Sequence, residues 1–206
     1  MTRILYLHGF ASSPASSKAR YFAERLEAAG ARVTVPDLAP AGIAHLTITS
    51  QLQLVEQIAA GEPVALIGSS LGGYVAALYA ARHAEVTRLV LLAPAFGIAQ
   101  RWLERPREGG EEFFRRTGFM NFYHYGEAYA PSFSLLDDGM QYEEYPDFGQ
   151  PALIFHGAHD DVVPVELSQR FVADHANAAL EIVDSDHRML DALDSIGPRA
   201  AEFLLE

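Results

Sequence analysis

Residues Pro63-Val-Ala-Leu-Ile-Gly-Ser-Ser-Leu-Gly-Gly-Tyr-Val-Ala-Ala-Leu-Tyr-Ala-Ala-Arg-His83 decide the fold. Val64 to Ile67 is a short, uninterrupted apolar run, the pattern of a strand buried on both faces of a parallel sheet. Leu71 to Arg82 is rich in Ala and Leu, with no Gly or Pro after Gly73, and predicts a helix. Between them lies Gly68-Ser69-Ser70-Leu71-Gly72, a G-x-S-x-G with Ser70 at its centre. A serine on so sharp a strand-to-helix turn sits in strained backbone, and neighbours two residues away crowd it unless they lack a Cβ. Gly68 and Gly72 supply that room. The turn points Ser70 Oγ over the carboxyl edge of the sheet, and the helix beyond it aims free N–H groups at any negative charge developing there. A chemically idle Gly/Ser turn could carry the same letters, so the rest of the chain must discriminate.

Working outward, the same rhythm repeats. Arg3–Leu7, Arg32–Val35, Arg88–Ala93, Ala152–His156 and Ala179–Val183 read as further strands. Helices are predicted over Lys18–Ala29, Thr47–Ala60, Val165–Ala176 and Met189–Leu205, the last bent near Gly197-Pro198. Gly30 and Gly61 close the first two of these where a positive φ is wanted. Strands alternating with helices mean βαβ units, a mostly parallel sheet of about six strands and right-handed crossovers.

Length and composition bound the function. At 206 residues the chain suits one well-buried α/β domain, residues 1–206, and is too short for two comfortable ones. A formal charge of -12 argues against nucleic acid or an anionic membrane as main partner, since both need a basic surface. The absence of cysteine removes disulfides, thiol catalysis and thiolate metal sites. Ile4–Leu7 is too short for the apolar segment of a signal peptide, and no apolar run spans a bilayer, so a cytoplasmic location without membrane insertion is expected.

Residues 97 to 150 break the rhythm. The stretch shows no strand pattern, holds more than half of the chain's aromatic residues, and clusters Arg101, Arg105, Arg107, Arg115 and Arg116. A connection this long is functional or carries its own helices. It is read as a small cap over the carboxyl edge, with Trp102, Phe119 and Phe122 as candidate pocket residues and many of the other aromatics as packing. The arginines are read as lying on an exposed helix, solvated or paired with Glu104, Glu108, Glu111 and Glu112; the alternative is a role against the phosphates of an acyl-thioester substrate.

A serine nucleophile needs a base, and the base an orienting acid. The fifth strand runs into His156-Gly-Ala-His-Asp-Asp-Val-Val-Pro164 and the sixth into Asp184-Ser-Asp-His187, so Ser70, Asp160 and His187 follow in the order Ser…Asp…His, each at a strand's carboxyl end. Asp161 competes with Asp160 and Ser69 with Ser70, and motif spacing favours Asp160 and Ser70. His8 and His156, each before a Gly at a strand end, read as backbone-bonding residues. His156-x-x-His159-Asp160-Asp161 has metal-site letters but no further ligand at motif spacing, and the chain has no phosphate-binding glycine motif, so neither metal nor cofactor is expected.

Leu5-Tyr-Leu-His-Gly-Phe-Ala-Ser-Ser-Pro14, Gly68-Ser-Ser-Leu-Gly-Gly-Tyr74 and His156 to Pro164 give the chain a resemblance to the α/β-hydrolases, and within them to small bacterial esterases of the YqiA/YcfP type. The resemblance implies a reduced α/β-hydrolase fold in which the first strand here corresponds to the third of a full sheet. It implies an acyl-enzyme on Ser70, His187 as base, Asp160 as its orienting acid, and an oxyanion held by the backbone N–H groups of Phe10 and Leu71. The implied partner is a small-molecule ester or thioester. An amide or peptide substrate, or a non-catalytic binding protein on the same fold, are the alternatives. Ser185-Asp186 before His187 departs from the glycine often found there.

Overall fold

The computed structural model describes residues 1–104, 122–124, 127–129 and 132–206. Six strands, β1 (Arg3–Leu7), β2 (Arg32–Thr34), β3 (Val64–Ser69), β4 (Val86–Leu92), β7 (Ala152–Gly157) and β8 (Ala178–Val183), form one sheet in the order β2-β1-β3-β4-β7-β8. Every pairing in it is parallel. Helices α1 (Ser17–Ala28), α2 (Ile48–Ala59), α3 (Leu71–Ala80), α4 (Ile98–Glu104), α5 (Ser134–Gly139), α6 (Val165–Asp174) and α7 (Leu193–Leu205) surround it.

Strand alternation explains why both faces are covered. Leu5, Leu7, Leu66, Leu91 and Ile154 share one core with α2, α3 and α6. Their neighbours Ile4, Tyr6, Ile67, Leu92 and Phe155 share the other with α1 and α7. A period of two puts successive side chains on opposite faces, so a strand apolar throughout requires helices on both. The chain moves outward from β1 to β2 and then crosses back to β3 on the other side of β1. The crevice between the carboxyl ends of β1 and β3 is therefore the topological switch point, where open parallel sheets bind ligands.

Local chemistry sets the helix ends. Ser16 caps α1 by accepting from Ala19 N, and Thr47 with Ser50 forms a reciprocal capping box at α2. All ten residues of α3 are buried, which suits its Ala- and Leu-rich sequence. The final helix starts later than the sequence predicts, at Leu193 rather than Met189, because Met189 holds φ 49°, outside the helical region. Pro198 lies inside it.

The insertion holds an antiparallel ribbon that its sequence did not announce: β5 (Phe122–His124) with β6 (Glu127–Tyr129), pairing Tyr123 with Ala128. Three-residue strands are too short to show alternation. Its later part belongs to the main body. Thr49 binds Asp138 through its N–H (2.8 Å) and hydroxyl (2.5 Å), and Arg82 forms a bidentate pair with Glu143 at 2.9 and 2.8 Å. Phe96 stacks on Phe171 at 4.6 Å and Phe148 on Phe171 at 5.6 Å, so these aromatics are packing. No described helix is long and apolar enough to cross a membrane.

Candidate active site

Ser70 follows β3 directly with φ 54° and ψ −117°, the strained turn that its sequence predicts. Its N–H is held by Leu92 O at 2.8 Å, and its carbonyl accepts from Gly73, Tyr74 and Ala95. The flanking glycines are steric necessities. A Cβ on Gly68 would lie 2.4 Å from Gly72 O, and one on Gly72 would lie 2.1 Å from Leu7 O and 2.5 Å from His8 O. The loop after β1 thus packs against the start of α3, with Gly9 close to the Cβ of Ser70.

His187 comes from the loop after β8. Its Nε2 is 3.1 Å from Ser70 Oγ and its Nδ1 2.7 Å from Asp160 Oδ2. Asp160, at the end of β7, has a fully buried side chain. Its Oδ1 accepts from the N–H groups of Val162 (2.9 Å) and Val163 (2.7 Å). Burial pushes the Asp160 carboxyl up, but hydrogen bonds from His156 and His187, the charge of His187 and the Val163 N–H outweigh it and hold the group well below the usual carboxylate range. The loop carrying His187 is fixed by Asp186 Oδ1, which accepts from Arg188 N (2.8 Å) and Met189 N (3.1 Å), and by a Ser185–Asp191 hydrogen bond. These contacts stabilise it without the expected glycine.

The competing candidates separate cleanly. Ser69 is buried and hydrogen-bonds Tyr6, whereas Ser70 meets His187. Asp161 is exposed, while Asp160 meets the imidazole. His8 accepts from Leu38 N at Nε2 (3.1 Å) and donates from Nδ1 to Gly9 O (3.0 Å), a neutral ring bonding loop backbone as predicted. Burial lowers its pKa.

His156 does more than its sequence reading foresaw. It bonds Val163 O (2.9 Å) and Ser168 Oγ (2.8 Å), and its Nε2 also lies 3.2 Å from Asp160 Oδ2. It therefore buttresses the acid, and the four-residue spacing to Asp160 was the available signal. His159 turns out to Asp184 instead, so the two histidines do not converge. Among the described residues no group of three His, Asp or Glu is placed to hold a metal.

A cavity of about 320 Å³ opens over Ser70 and His187, walled by Phe10, Trp102, Ile98 and Val162 among others. Trp102 is buried and meets Phe10 edge-on at 5.4 Å, so this candidate pocket residue does line the cavity. Phe119 and the side chain of Phe122 lie outside the described residues, as do Arg105, Arg107, Arg115 and Arg116. Arg101 corrects the exposed-helix expectation: it is half-buried, lines the cavity and donates to Val162 O at 3.1 Å. Its place on the cavity side of α4 explains the difference. Lys18 and Arg188 also line the cavity and were not foreseen. Lys18 is the chain's only lysine, a signal visible in the sequence.

The chain belongs to the family described as Uncharacterised protein family (UPF0227), whose model matches residues 3–204. No curated protein matches it by sequence. It is similar in structure to Est1E from Butyrivibrio proteoclasticus with ferulic acid bound, at TM-score 0.86 and 19% identity over 100% of this chain and 88% of that one. It is also similar to mouse alpha/beta hydrolase domain-containing protein 10 (TM-score 0.83, 20% identity, 98% and 89% covered). A monoacylglycerol lipase from Paleococcus ferrophilus matches at TM-score 0.74 and 18% identity, covering 98% and 93%. The fold is that of the α/β-hydrolases.

Proposed function

We propose that the protein is a serine hydrolase cleaving carboxylic esters or acyl thioesters through an acyl-enzyme on Ser70. The observation that carries this reading is the continuous chain from Ser70 Oγ to His187 Nε2 (3.1 Å) and from His187 Nδ1 to Asp160 (2.7 Å), opening on a cavity. These distances are within reach for proton transfer by a general base. The monoacylglycerol lipase on the same fold supports the same chemistry.

In this mechanism Ser70 Oγ attacks the carbonyl carbon while His187 Nε2 takes its proton. Asp160 holds the Nδ1–H tautomer and stabilises the imidazolium. The tetrahedral oxyanion is stabilised by the N–H of Leu71, at the first turn of α3, and by that of Phe10 in the loop packed on Ser70. Collapse breaks the bond to the leaving oxygen or sulfur, which receives the proton from His187. Water then attacks the acyl-enzyme by the same route, releasing the acid and restoring Ser70. An amide substrate would use the same groups, with the proton passing to nitrogen.

The test is intact-mass labelling with a fluorophosphonate, followed by peptide mapping. One stoichiometric adduct on Ser70, absent in Ser70→Ala, is expected. Well-folded protein that takes no label would favour a hydrolase-fold binding protein and overturn the reading.

A further inference from the structure

The cavity's charge is at odds with that of the chain. The protein carries 27 acidic residues against 15 basic ones. Yet Lys18, Arg101 and Arg188 line the cavity and, among the described lining residues, there is no Asp or Glu. Charges scattered at random on so acidic a chain would favour carboxylates there.

Lys18 is placed against its own helix. It stands in the first turn of α1, where a carboxylate would suit the positive end of the helix dipole and a cation is disfavoured; that turn has no acidic residue. The side chain is half-buried, and desolvation brings its pKa down to about 8, although Asp160 and Asp186 favour the charged form and Arg188 opposes it. The nearby carboxylates have other duties. Asp160 faces His187 and two backbone N–H groups, and Asp186 Oδ1 accepts from two more. The only lysine of the chain is thus held partly desolvated at the wall of the cavity, and its two nearby carboxylates are already hydrogen-bonded to other groups.

The cations share the cavity with the reacting atoms. Arg188 follows His187 directly, Lys18 comes from α1 beyond the loop of Phe10, and Arg101 comes from α4 beside Trp102. The geometry points to a substrate that is itself an anion: an ester or thioester carrying a carboxylate or phosphate within a few bonds of the scissile carbonyl, bound by Lys18 and Arg188 with Arg101 beside them. The aromatic wall of Phe10 and Trp102 takes the apolar part. This inference rests on the serine-hydrolase reading and gives it a substrate class.

The test uses substrate pairs that differ in charge and little else: monophenyl adipate against its primary amide for an anion on the acyl side, and 4-acetoxybenzoate against 4-acetoxybenzamide for one on the leaving side. Rates are corrected for spontaneous hydrolysis. In at least one pair kcat/KM should favour the anion by roughly tenfold or more, the scale of one charge-assisted hydrogen bond. Lys18→Gln and Arg188→Gln should each reduce that ratio, and Lys18→Arg should largely keep it. Ratios near one in both pairs, or a preference indifferent to both Gln variants, overturn the inference. Calorimetric binding of the same pairs to Ser70→Ala separates the two readings. Tighter binding of an anionic member sustains the anion site even if the wild type turns over neither compound, an outcome that would sink only the hydrolase reading. Equal binding of both members in both pairs sinks the anion site.

Discussion

Asp160→Asn tests the mechanism at its most constrained atom. Oδ1 of Asp160 accepts from two backbone N–H groups, at 2.9 and 2.7 Å. In the variant only the amide oxygen can take that position, because an NH2 there would face two donors. The NH2 must then occupy the place of Oδ2, 2.7 Å from His187 Nδ1 and 3.2 Å from His156 Nε2. A donor facing Nδ1 forces the proton of His187 onto Nε2, so the ring meets Ser70 as a donor and no longer as a base. A tautomer locked the wrong way costs on the order of 10⁴ in kcat, roughly 5.5 kcal/mol of transition-state stabilisation. KM should change little, since Asp160 does not line the cavity. The assay is steady-state hydrolysis of 4-nitrophenyl butyrate, with circular dichroism to confirm the fold and fluorophosphonate labelling as a second readout. A folded variant that loses less than about tenfold would refute the assignment of Asp160, and with it the argument from forced amide orientation.

Three further outcomes follow from the same contacts. Ser70→Ala should abolish ester turnover while Ser69→Ala retains most of it, because Ser69 bonds Tyr6 and not His187; comparable loss in both variants would count against the nucleophile. Gly72→Ala should destabilise by at least the ~1–3 kcal/mol of overpacking, since its Cβ would meet backbone oxygens that cannot rotate away, and urea denaturation reads this directly. The depressed Asp160 pKa gives a signed acid response. Its contribution to stability is fully present above the ordinary value of 3.8 and is lost as pH falls through the lower folded value. The stability gap between wild type and Asp160→Asn should therefore be flat from about pH 7 to 5 and narrow below 3.8, as measured by denaturation at each pH; a gap that widens on acidification contradicts the shift.

Much of this was legible in the sequence because the signals were local. The apolar strands, the G-x-S-x-G turn and the loops ending in Asp160 and His187 depend on spacings within one strand-loop unit, and the sheet brings their ends together by topology alone. What escaped was set by contacts between units. Nothing near Lys18 or Arg188 announces that both enter one cavity. Arg101 reads as one arginine of a cluster until α4 is seen turned toward Val162. The choice between Ser69 and Ser70 had motif spacing behind it, but Tyr6, distant in sequence, supplies the physical reason. The ribbon at Phe122–Tyr129 was hidden because three residues cannot display a period.

The distribution of backbone strain joins the fold to the site. Among the described residues, five non-glycine positions have positive φ: Ala11, Ala60, Ser70, Ala93 and Met189. Ala60 closes α2, an ordinary place for such a residue. The other four stand just beyond the carboxyl ends of sheet strands: Ala11 in the loop after β1, Ser70 after β3, Ala93 after β4 and Met189 beside His187 after β8. Each left-handed residue costs about 1–2 kcal/mol, so a loop free to relax would not keep it. Here relaxation is blocked from both sides. β1, β3 and β4 are largely buried, and backbone hydrogen bonds tie the strand ends and loops together: Ser70 to Leu92 and Ala95, Ala93 N to Phe155 O at 2.8 Å, and His159 to Ser185 at 3.0 Å. A rigid sheet thus holds its edge in conformations that the chain alone would leave. The same rigidity keeps Ser70, His187 and Asp160 at bonding distance before any substrate arrives, and such preorganisation is what electrostatic catalysis requires.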